Sequence, residues 1–94
     1  MNKKHFNIRI QGKVQGVFFR ASARAHANAL EITGFARNES DGSVYIEAEG
    51  ELENLEKLIE WCNRGPENAV VNNVNAKEAP LQNFSSFEVN RGIH

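Results

Sequence analysis

"TGFARNESDGSVYIEAEG", residues 33–50, carries two alternating runs with a turn signal between them. "TGFARN" and "SVYIEAEG" read as strands. The acidic, serine and glycine residues of "ESDG" suit a tight hairpin turn, because such residues bond to their own main chain or tolerate left-handed backbone. In the second run Val44, Ile46 and Ala48 share one face, and period-two spacing predicts that this face is buried. A hairpin in the middle of the chain is the piece around which the other elements must be arranged.

On its N-terminal side, residues 19–30 are rich in alanine, with Ala23, Ala27 and Leu30 at helical spacing, and predict a helix that packs closely on a sheet. Before it, "HFNIRIQ" alternates Phe6, Ile8 and Ile10 with Asn7, Arg9 and Gln11 and predicts a strand buried on one side. On the C-terminal side, Leu52, Leu55, Leu58, Ile59 and Cys62 form a helical stripe, with Glu51 and Glu53 at its positive end and Gly65 and Pro66 to stop it. "AVVNNVNAKE" and, after Pro80, "SSFEVN" read as further strands, the last at an edge. The order strand, helix, strand, strand, helix, strand is that of the ferredoxin-like α+β sandwich. It predicts an antiparallel sheet with two helices on one face and a short extra C-terminal strand, in a single domain over residues 1–94. Many activities share this architecture, so function must be sought in particular loops.

Charge points to one such loop. The chain is 94 residues with a net charge of -1, yet residues 1–30 hold Lys3, Lys4, Arg9, Lys13, Arg20 and Arg24 and no acid, while all twelve acids follow. A positive zone on an otherwise acidic chain suits a small anion better than a long nucleic acid. Gly12 closes the first strand, Gly16 sits in the loop, and Arg20 falls in the first turn of the helix. Glycines let backbone N–H groups turn inward, a helix start leaves more of them unpaired, and a guanidinium can grip two phosphate oxygens at once. On the residues alone, a solvated arginine and an ordinary structural turn stay open beside a phosphate cradle.

The segment "GKVQGVFFR", residues 12–20, resembles the acylphosphatase signature G-x-V-Q-G-V-x-[FY]-R at every specified position. "GFARNESDGSVYIEAEG", residues 34–50, resembles that family's second pattern: an aromatic after glycine, a basic residue followed by asparagine, and glycines at the expected spacing. "WCNRGP" at the end of the second helix agrees as well, so the likeness spans the chain. The resemblance implies a phosphate cradle on Gln15, Gly16, Val17, Phe18, Phe19 and Arg20, mainly through backbone N–H groups with the Arg20 side chain as ligand. It also implies that Asn38 orients the attacking water. The implied activity is hydrolysis of small acyl phosphates to a carboxylate and inorganic phosphate by direct attack of water, with no cofactor and no metal. That chemistry is self-consistent: the leaving carboxylate is the base of an acid with a pKa of about 4 and departs without a strong general acid. An asparagine can accept from water without placing negative charge beside the phosphate.

Other residues receive plainer readings. Cys62 lies on the apolar stripe of the second helix and is expected to pack in the core, not to act as a nucleophile. His5, His26 and His94 show no ligand spacing and are expected to be solvated or partly packed. Phe18, Phe19 and Phe35 could border an acyl pocket or serve as core, and Phe19 is assigned to the core. Trp61 is read as packing and Lys13 as a solvated residue able to steer anions. Glu31 stands where acylphosphatases often have glycine at the end of the first helix, which predicts a strained or altered helix end. Asn72 and Asn73 stand where that family often carries an acid and a base. An RNA-binding module of the same fold is disfavoured. Its open sheet face would present Asn7, Arg9, Gln11, Tyr45, Glu47 and Glu49, with one aromatic and two acids where bases should stack. A silent regulatory domain that binds a phosphorylated metabolite remains a second rival. The expected setting is the cytoplasm, as a monomer, with no nucleic-acid or membrane partner: one cysteine permits no internal disulfide and no run approaches membrane-spanning length.

Overall fold

The computed structural model describes residues 2–90. Its strands are β1 (Lys3–Lys13), β2 (Thr33–Asn38), β3 (Val44–Glu51), β4 (Val70–Ala79) and β5 (Phe87–Val89), and its helices α1 (Phe19–Ala29) and α2 (Leu52–Arg64). One sheet joins the strands in the order β4-β1-β3-β2-β5. The β2–β3 hairpin forms as the turn residues predict, with Thr33 opposite Glu49 and Asn38 opposite Val44, and the Glu39 N–H closes on the Ser43 carbonyl at 2.9 Å. β1 lies between β3 and β4 and runs antiparallel to both.

The expectation of an antiparallel sheet holds for four strands and fails for the fifth. β5 runs parallel to β2, with Gly34 beside Phe87 and Ala36 beside Val89, so the sheet is mixed. The reason is topological: the chain leaves β4 at one edge, crosses to the opposite edge through residues 80–86, and arrives at β2 pointing the other way.

Period-two faces and helical stripes meet where the sequence puts them. Ile8, Ile10, Ala36, Val44, Ile46 and Ala48 are fully buried under Ala23 and Ala27 of α1 and Leu55, Leu58 and Cys62 of α2. Phe19 and Trp61 join the two helices, their rings 5.1 Å apart, and the His26 ring packs on Trp61 at 4.5 Å. Burial pushes the Cys62 thiol up to about 12, so it is a packing group and no nucleophile. Both helices therefore cover one face of the sheet; α1 starts after the loop that leaves β1, and α2 follows directly on β3.

The end of α1 shows the strain anticipated at Glu31. The Ile32 N–H donates to the Ala27 carbonyl at 2.8 Å and the Glu31 N–H to the Asn28 carbonyl at 3.2 Å, the paired bonds of a Schellman motif. That motif needs left-handed backbone at Glu31, whose φ is 57°. Replacing a side chain there by glycine relieves the Cβ clash, so Glu31→Gly is expected to stabilise the fold by about 1 kcal/mol, despite the extra entropy of the unfolded chain. In a chain of this size such a gain raises the thermal midpoint by roughly 4–8 °C. An unchanged or lower midpoint in calorimetry would show that the Glu31 side chain contributes something the motif does not require.

The crossing segment explains two departures from the sequence reading. The sequence places Glu49 on an open face and leaves His5 solvated or partly packed, yet both are 1% exposed. Residues 80–86 close over them on the side away from the helices. The Glu49 carboxylate accepts the N–H groups of Gln82, Asn83 (3.1 Å) and Phe84 (3.0 Å) and meets His5 Nδ1 at 2.8 Å. His5 Nε2 lies 2.9 Å from Asn7 Oδ1 and 3.1 Å from a Glu47 oxygen, and Phe84 stacks on the His5 ring at 5.7 Å. His94 lies outside the described residues.

Burial alone would raise the Glu49 carboxyl, but the bonds from Gln82, His5, Phe84 and Asn83 outweigh it and hold the group below its ordinary value of 4.5. A depressed folded value means stability that is present above the ordinary glutamate range and lost as pH falls through it. Denaturant titrations should therefore show stability declining below about pH 4.5. Glu49→Gln should flatten that decline and, by leaving N–H groups of the crossing segment poorly paired, cost about 3 kcal/mol at neutral pH. An acid limb of unchanged steepness in the variant would locate the titration elsewhere.

Candidate active site

At the end of β1 and in the tight loop that leads to α1, the backbone is unusual at three places. At Gly12 the β1–β4 register shifts, φ is 134°, and a Cβ would lie 2.1 Å from the Val70 carbonyl oxygen, so only glycine fits the bulge. Gly16 has φ 75° with open space where a Cβ would be, so the demand there is conformational. Phe18 adopts φ 63° and ψ 25°, left-handed backbone for a bulky residue, as the residue that caps α1. Left-handed residues within a tight loop are what form concavities lined by N–H groups. Val14 and Val17 anchor the loop by burying their side chains in the core.

The helix start is left bare. No side chain caps α1, and its first turn holds no acid. Among the described residues, no backbone carbonyl outside the helix engages the N–H groups from Gln15 to Arg20. Unpaired donors at the positive end of a helix dipole form a site for an anion.

Gln15 fixes the loop to the hairpin. Its Nε2 donates to the Glu39 carbonyl at 2.8 Å and the Ser43 carbonyl at 2.9 Å. Those carbonyls sit at the mouth of the hairpin whose first strand ends at Asn38, so one side chain sets the distance between the loop and Asn38. The resemblance places Gln15 in the cradle; its side chain points to the hairpin, leaving the backbone N–H as its only available contribution.

Gly16, Phe18, Phe19, Arg20 and Asn38 line one cleft of about 290 Å³, together with Val14, Ala21 and Val89. Five of the seven residues singled out for the site thus share a wall, and Gln15 and Val17 support it from behind. Arg20 Nη1 donates to the Asn90 carbonyl, which aims the guanidinium, and no carboxylate among the described residues pairs with it. Asn38 Oδ1 is buried and has no hydrogen-bond partner, the one such side-chain atom among the described residues. An unpaired buried acceptor costs free energy unless something donates to it, and a bound water is the natural donor.

The neighbouring acids are tied up. Glu39, next to Asn38, is bonded by Arg37 Nε at 2.6 Å and lies 3.8 Å from Arg9 Nη1. Bonds from the Ser43 hydroxyl and N–H hold the Asp41 carboxyl below its usual range. Arg37 also lies over the Tyr45 ring at 4.9 Å. Desolvation and the bond to Glu47 push the Tyr45 phenol up to about 12, leaving it neutral and poorly suited to act as a base. Among the described residues, no three His, Cys, Asp or Glu side chains gather as they would around a metal ion, and no helix is long and apolar enough to cross a membrane.

Two parts of this site had no signal in the sequence. The Arg20–Asn90 contact joins residues seventy apart in the chain, and the Gln15 bonds span turns whose approach depends on the assembled sheet.

The family model described as acylphosphatase matches residues 6–89. An acylphosphatase of Marinobacter nauticus is 48% identical over 88 residues, covering 93% of this chain and 96% of its own. The solved structure of an acylphosphatase from Coxiella burnetii superposes with a TM-score of 0.92 at 42% identity, covering 95% of this chain and 94% of that one. Full-length HypF, solved in a phosphate- and nucleotide-bound form, matches with a TM-score of 0.90 at 28% identity; the match covers 97% of this chain but 12% of HypF.

Proposed function

The chain belongs to the acylphosphatase family and is an enzyme of that type, and from that premise we propose how its own residues hydrolyse the carboxyl–phosphate bond. The phosphoryl group sits against the N–H groups of residues 15–20 at the start of α1, with the free nitrogens of Arg20 on its oxygens. Asn38 Oδ1 accepts a hydrogen bond from a water and holds that water in line with phosphorus. As water attacks, the P–O bond to the acyl oxygen breaks, the electron pair leaves with the carboxylate, and the proton lost by the water passes to phosphate or solvent.

The observation that carries this reading is the unpaired, buried Asn38 Oδ1 in the wall of the cleft that Arg20 and the uncapped helix start also line. A loose phosphoryl transition state needs positioning and charge stabilisation more than covalent chemistry, and amides with one guanidinium supply both. Because a carboxylate leaves unaided, neither a general acid nor a Lewis acid is required, and we infer that the reaction proceeds without a metal. Protein dialysed against a chelator should hydrolyse benzoyl phosphate while leaving phenyl phosphate, a monoester with a poorer leaving group, intact. Equal rates on the anhydride and the monoester, or activity restored only by a divalent cation, would contradict this account.

A further inference from the structure

Phe18 departs from what its position asks for in three ways. A residue that caps a helix start is usually Ser, Thr, Asp or Asn, whose side chain satisfies an N–H group, and phenylalanine has nothing to offer there. Its left-handed backbone, φ 63°, costs a bulky residue strain that glycine or asparagine would avoid. Its ring is 81% exposed, the most exposed large hydrophobic side chain among the described residues. Strain and exposure kept together at the edge of a site point to use of the side chain.

The ring borders the cleft that Gly16, Arg20 and Asn38 line, and the remaining wall is apolar, from Val14, Ala21 and Val89. A phosphoryl group held by the amides leaves its acyl substituent to occupy the rest of the cleft and its mouth. From this arrangement we propose that Phe18 determines acyl-group specificity: its ring packs against planar, aromatic acyl groups and selects aryl carboxyl phosphates over short alkyl ones. This rests on the phosphate position given under the proposed function. An acetyl group is too short to cover the ring, whereas a benzoyl group can lie offset on it, as aromatic pairs prefer.

The test compares benzoyl phosphate with acetyl phosphate on the native protein, Phe18→Ala and Phe18→Tyr. Alanine keeps the Cβ, the backbone strain and the amide, so any damage to the cradle falls on both substrates and cancels in the ratio of their kcat/KM values. That ratio should fall about tenfold in Phe18→Ala, through KM for benzoyl phosphate, and stay within about twofold of native in Phe18→Tyr. An unchanged ratio in Phe18→Ala overturns the proposal. Should the variants fail to fold, the native protein still decides: benzylphosphonate should inhibit about tenfold more tightly than methylphosphonate, and equal inhibition overturns the proposal. If neither phosphonate nor inorganic phosphate competes with substrate, the phosphate position itself is wrong and the specificity proposal falls with it; competition without discrimination removes Phe18 alone.

Discussion

Arg20→Lys should lower kcat/KM for benzoyl phosphate by about a thousandfold, although charge is conserved. The guanidinium has two tasks that one ammonium cannot perform together. One of its nitrogens is committed to the Asn90 carbonyl, and the planar fork leaves the others to meet phosphate oxygens in fixed relation to it. Lysine offers a rotatable point charge that must either lose the tether or lose the paired contacts. Because phosphate binding and transition-state stabilisation use the same fork, both KM and kcat should suffer, and inhibition by inorganic phosphate should weaken in parallel. Steady-state kinetics together with the phosphate inhibition constant check this. Activity within tenfold of native would mean that the helix start carries the anion with only general electrostatic help from residue 20.

Asn38→Ala should separate binding from turnover. Removing the carboxamide leaves the loop and Arg20 in place, so the phosphate inhibition constant should stay within about threefold of native while kcat falls by roughly a hundred- to a thousandfold. Asn38→Asp keeps an acceptor but sets a negative charge beside the anionic phosphate, so it should lose affinity as well as turnover. The contrast between the two variants distinguishes a water-orienting role from a turn-capping one. If Asn38→Ala instead lost phosphate binding with normal kcat, the carboxamide would be a ligand or a structural cap and not the group that aims water.

Much of this arrangement is legible in the sequence because it depends on local physics. The hairpin, the two helices and the buried faces of β1 and β3 follow from period-two and helical spacing, and the strain at Glu31 follows from the missing glycine at a helix end. The convergence of the loop and Asn38 follows from the resemblance combined with the order of elements. What the sequence does not reveal depends on the segment of residues 80–86, whose composition carries no strong pattern. That crossing makes β5 parallel to β2, buries His5 and Glu49, and delivers the Asn90 carbonyl to Arg20. The side chain of Gln15 is hidden for a similar reason: a glutamine in a glycine loop looks like a ligand, and only the folded sheet brings the two hairpin carbonyls within its reach. Non-local contacts made by polar side chains leave no periodicity to read.

The central claim is that backbone N–H groups at the start of α1, with Arg20, hold the phosphate beside Asn38. Titration of the isotopically labelled protein with inorganic phosphate, followed amide by amide in nitrogen–proton correlation spectra, tests it most directly. Saturable shifts concentrated on residues 15–20 and on the Asn38 side-chain amide are the predicted result. Shifts centred on the other face of the sheet, where Arg9 and Lys77 line a shallow depression, with residues 15–20 unmoved, would contradict it.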